Sequence, residues 1–135
     1  IKSARTVKDT HDFKIPNDYL RWDPTSHHTK AQKTLHRFLN GFTDSPQVFL
    51  LWGHSWEFDM NKPNNNWGLI EEMVIATAKH KDIWVAGAGE FVRYLEAVKS
   101  VQLKQGEWVN QSNIPVTLKK GKTPIVIPPN SSLKK

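Results

Sequence analysis

A chain of 135 residues is long enough to bury one core and short for two. Its 38% apolar and 24% charged residues exclude a disordered polymer, and no run approaches the ~20 apolar residues that span a bilayer. The net charge of +6 is concentrated in Lys119, Lys120, Lys122, Lys134 and Lys135 near the end, which leaves a nearly neutral body.

In chain order, KSARTV (2–7) predicts a short strand, followed by a long irregular stretch over 8–29 that holds Pro16 and Pro24. A loop of that length inside a compact domain is usually functional. Leu35, Phe38, Leu39 and Phe42 recur at helical spacing and predict a helix over 29–42. QVFLLW (47–52) is apolar without alternation, as expected of a parallel strand buried on both faces. A polar loop covers 53–65. A helix then begins near Asn65 or Asn66, with asparagine as N-cap and an apolar stripe through Leu69, Ile70, Met73 and Val74.

DIWVAG (82–87) predicts a second buried strand with Trp84 in the core, and EFVRYLEAVKS a helix after it. This alternation implies an α/β fold with a parallel sheet over 1–100. From Val101, the runs VQLK, EWVN, PVTL and PIVIP, with turns at Gln105-Gly106 and Lys120-Gly121, predict a small antiparallel β extension and a basic tail over 101–135. Three parallel strands leave two open edges, and the first residue is Ile1 rather than Met. The sheet is therefore expected to be completed by upstream strands or by another copy of the chain.

Ligands in such sheets bind beyond the carboxyl ends of the strands, and GHSWEFD (53–59) stands there. His54 carries the side chain that exchanges a proton nearest neutral pH, with Glu57 and Asp59 placed to orient it. An ordinary turn with locally satisfied polar groups is the competing explanation. Adjacent His27 and His28 do not have metal-ligand spacing, since no His-x-x-x-His or His-Glu-x-x-His occurs. Ser26 and Thr29 are expected to cap and pack at the helix start, with His28 exposed. Absence of cysteine excludes disulfides and thiolate sites and leaves the compartment open. Trp22, Trp56 and Trp67, near Asn and Asp residues, have the amphipathic rings that suit sugar stacking, or else they lid the core.

The segments SARTV, LRWDPTSHH, VFLLWGHSWEFD, NNWGLIEEM and IWVAGAGEFVRYLEAV, in that order over residues 3–115, resemble the C-terminal part of polysaccharide deacetylases. The resemblance implies a distorted (β/α) barrel and metal-dependent removal of N-acetyl groups from an amino-sugar polysaccharide or oligosaccharide, in a secreted or cell-envelope setting. It makes His54 the general acid that protonates the departing amine. Trp52 stands where the family has a leucine lining the acetyl pocket, Asp18 and Trp22 match its Asp/Trp motif, and Trp56 and Glu57 flank the substrate. The family's divalent metal, often zinc, and its base come from Thr-Phe-Asp-Asp and His-x-x-x-His motifs that do not occur here. Those elements are expected upstream, so this chain by itself is expected to supply no metal ligand. The alternative from a different class is a non-catalytic carbohydrate-binding protein. Nucleic-acid binding is disfavoured by the nearly neutral body and the absence of a recognition motif.

Overall fold

The computed structural model describes residues 1–41, 43–121 and 123–135. Phe42 and Lys122, counted in the predicted helix and the basic tail, lie outside them. The fold is mixed α/β and divides into two compact units, 1–85 and 86–135. Among the described residues no helix is long and apolar enough to cross a membrane, and no barrel closes.

The first unit is organised by a short β-α-β crossover. Strand β1 (Ser26–His27) runs into helix α1 (His28–Asn40), and the chain returns to β2 (Leu51–Trp52), parallel to β1 with Ser26 opposite Leu51 and His27 opposite Trp52. Helix α1 starts at the predicted place because the His27 ring caps it, accepting from the Thr29 N–H. One-turn helix α2 (Ser55–Phe58) follows β2, and α3 (Trp67–Ala78) begins where Asn66 Oδ1 accepts from the Leu69 N–H at 2.8 Å. Ala31 and Leu35 of α1 meet Leu69 and Met73 of α3, flanked by Phe38, Leu39, Phe49 and Ile70. Each large apolar side chain buried there contributes about 1.5–3 kcal/mol.

Three strand expectations need correction. Only Leu51–Trp52 of 47–52 forms a ladder; upstream, Val48 donates to Phe13 O and Leu50 to Thr25 Oγ1, so an irregular loop supplies the partners. Residues 2–7 keep one parallel bridge, Arg5 with Trp22. Segment 82–87 forms no strand, and Trp84 is 50% exposed rather than core. Apolar, β-branched composition makes a strand only where a second strand lies alongside to complete the ladder.

The second unit packs α4 (Ala88–Ser100) with an antiparallel sheet β3-β4-β7 (Gln102–Lys104, Glu107–Asn110, Ser131–Lys134) and the hairpin of β5 (Val116–Lys120) with β6 (Thr123–Ile127). The predicted turn after β3 uses Gln105 and Gly106, both at positive φ, which suits a two-residue hairpin. The expected basic tail is instead strand β7, paired along β4 with Glu107 opposite Lys134. Val92, Ala97, Val116, Ile127 and the polar Asn110 are all buried in this unit. The Asn110 amide donates to the carbonyls of Ile114, Ile127 and Pro128, and its oxygen accepts from Ser112.

Candidate functional site

Two polar segments leave neighbouring parallel strands at their carboxyl ends: His27-His28 from β1 and Gly53-His54 from β2. That adjacency brings three imidazoles around one carboxylate. Glu57, in the single turn of α2, folds back so that its Oε2 accepts from the His54 backbone N–H at 3.0 Å and lies 3.0 Å from His54 Nδ1. The same oxygen is 3.2 Å from His27 Nε2 and 3.8 Å from His28 Nδ1. Since His27 Nδ1 already accepts from Thr29 N–H, its proton sits on Nε2 and points at the carboxylate.

His28 departs most from expectation. It is 1% exposed, with Nε2 bonded to Asn65 Oδ1 at 2.6 Å and its ring edge-on to Phe58, while its Nδ1 has no hydrogen-bond partner. Close packing against β2 explains the burial: a Cβ on Gly53 would lie 2.1 Å from His28 Nδ1. Glycine at 53 is therefore the residue that lets the two segments touch.

The electrostatics follow from this crowding. Burial, then the neighbouring His28 ring, push His27 below the ordinary imidazole value, against the pull of Glu57. Desolvation alone would raise Glu57, but hydrogen bonds from the His54 ring and backbone, with His27 and His28 alongside, hold its carboxyl below the usual range. The acid is thus an anion that bridges histidines.

The remaining expected residues divide. Trp52 forms a wall: its Nε1 donates to Asp9 Oδ1 at 2.8 Å, the Arg5 guanidinium covers its ring at 4.2 Å, and His27 meets its edge. Trp56 stacks beside His54, centroids 5.7 Å apart, and is 58% exposed. Asp59 does not orient His54 but accepts from Trp67 Nε1 at 2.8 Å, fixing another exposed indole. Trp22 is 4% exposed, its backbone paired with Ala4 and Thr6, so no ring face is open for a sugar. Asp18 caps the 3-10 turn Tyr19–Arg21 by accepting from Leu20.

Asp9 was not singled out from the sequence, yet its carboxylate holds both the Trp52 indole and the His27 backbone N–H. No local signal marks it, because both partners are distant in sequence. A cleft of about 360 Å³ opens beside the cluster, lined by Arg5, Trp52, Gly53, Phe58 and His28 among others. His27, His54 and Glu57 place three donor atoms within 4.8 Å of one another. Two imidazoles and a carboxylate are a donor set that suits a divalent cation. No protein-family model matches this chain, and comparisons with curated proteins and with solved structures find no match.

Proposed function

We propose that the His54 cluster is the acid side of a hydrolase that removes N-acetyl groups from amino-sugar polysaccharides, within a larger (β/α) barrel. The observation that carries this reading is the sharing of Glu57 Oε2 by His54 and His27 beside the exposed Trp56 ring. With Nδ1 anchored on the Glu57 carboxylate, His54 presents Nε2 outward. As the acetamido carbon–nitrogen bond breaks, the amine nitrogen takes the Nε2 proton and leaves as the neutral amine. Trp56 offers a flat face for the sugar ring, and Trp52, held by Asp9 and Arg5, forms a rigid apolar wall.

A divalent metal, when bound, supplies a water ionised near neutral pH. The family's usual motifs for that metal and for the base are not among these 135 residues, so the assay uses the product of the complete reading frame. Acetate release from N-acetylglucosamine oligomers is expected to fall ~10²–10⁴-fold in His54→Ala. An unchanged rate removes His54 from the mechanism. Retention of oligosaccharide by the wild-type protein without acetate release supports carbohydrate binding instead.

A further inference from the structure

We propose that His27, His54 and Glu57 form a divalent-cation site of the zinc class. Zinc takes imidazole nitrogen and carboxylate oxygen at about 2.0–2.2 Å in a tetrahedral array, which sets neighbouring donors ~3.3 Å apart. His27 Nε2 and His54 Nδ1 stand 3.2 and 3.0 Å from Glu57 Oε2, and all three donor atoms lie within 4.8 Å of one another. The edge between the two histidines is also no longer than 4.8 Å, and the 47% exposed His54 side chain leaves the site open to solvent.

The donors are held as a metal site requires. Their backbones leave two hydrogen-bonded parallel strands, so the spacing is set by the sheet rather than by a loose loop. His27 Nδ1, on the far side of the ring, lies 2.9 Å from Thr29 Oγ1, and such outer hydrogen bonds orient ligating histidines. A second, independent observation points the same way. His28 Nδ1 is buried without a partner, 3.8 Å from the shared Glu57 oxygen, and a cation or the water on it satisfies that atom.

Occupancy has a consequence for turnover that rests on the reading of His54 as the acid. A cation on His54 Nδ1 occupies the nitrogen by which Glu57 anchors the ring in that role, so the cation here is an inhibitor, distinct from any that activates water. Cation binding itself does not depend on that reading.

Zinc titration of the 135-residue chain against a chromogenic chelator tests it, near neutral pH and at about pH 5, where histidines are protonated. One ion per chain is expected near neutrality and none in acid. Binding should weaken at least ~10-fold in His27→Asn, which keeps a side-chain acceptor at the helix cap, and in Glu57→Gln, and stay unchanged in His36→Gln. Far-ultraviolet circular dichroism identifies a variant that has not folded, in which case the other decides. No uptake, or uptake that neither variant changes, overturns the site. Zinc uptake that persists in a protein with no deacetylase activity supports the site and removes only the inhibitory role.

Discussion

Glu57 is the residue on which the site turns, because one of its oxygens serves three groups at once. Glutamine keeps its size and a carbonyl acceptor but removes the charge that holds two imidazoles. Glu57→Gln is expected to lower kcat for acetate release by roughly tenfold, less than loss of His54 itself, with KM nearly unchanged. Steady-state kinetics of the two variants separate the roles; a KM effect alone would assign Glu57 to substrate contact. Trp56 gives the opposite signature. Its ring is outside the proton path, so Trp56→Ala should raise KM about two- to tenfold and leave kcat near wild type.

At the level of elements, the site exists because the start of α1 and the segment after β2 touch where two parallel strands end, and Gly53 is the contact point. Gly53→Ala puts a methyl 2.1 Å from the His28 ring, which cannot retreat while Asn65 and Phe58 hold it. Destabilisation of about 1–3 kcal/mol is expected in urea unfolding. Gly89→Ala, which meets open space in α4, is the control. An equal response of the two would mean that His28 is not held as described. In the second unit, Asn110 joins strand β4 to the carbonyls of two other segments, and no apolar side chain can replace it. Asn110→Leu leaves those acceptors unpaired at a cost of about 1–3 kcal/mol, read from its thermal midpoint.

For the molecule as a whole, the two perturbed groups act in one direction on pH. His27 and Glu57 both have folded-state pKa values below their unfolded ones, so the unfolded chain takes up the proton first on acidification. Stability is full above the unfolded histidine value. It declines as pH falls below about 6.5 through His27, then again below about 4.5 through Glu57. Thermal midpoints measured from neutrality to pH ~2.5 in chelator-containing buffer should show both limbs. His27→Asn should flatten the upper limb and Glu57→Gln the lower, and a profile that neither variant alters would break the linkage.

Helices α1, α3 and α4 and the hairpin strands β3 to β6 are legible in the sequence, because each is written in a local period or turn: Leu35 and Phe38 in α1, Asn66 before α3, Gln105-Gly106 after β3; the single turn of α2 stands where a loop was expected. The sequence also marked His54 and Glu57, three residues apart on one short turn. Tertiary structure alone decided which apolar runs became strands, since 82–87 has the composition of a strand and no ladder. It alone recruited His27, His28 and Asp9 to the site, through a two-residue strand β1 too short to leave a periodic signal. Helices and turns close their hydrogen bonds with near neighbours, whereas a strand pair and a cluster of side chains depend on residues far along the chain.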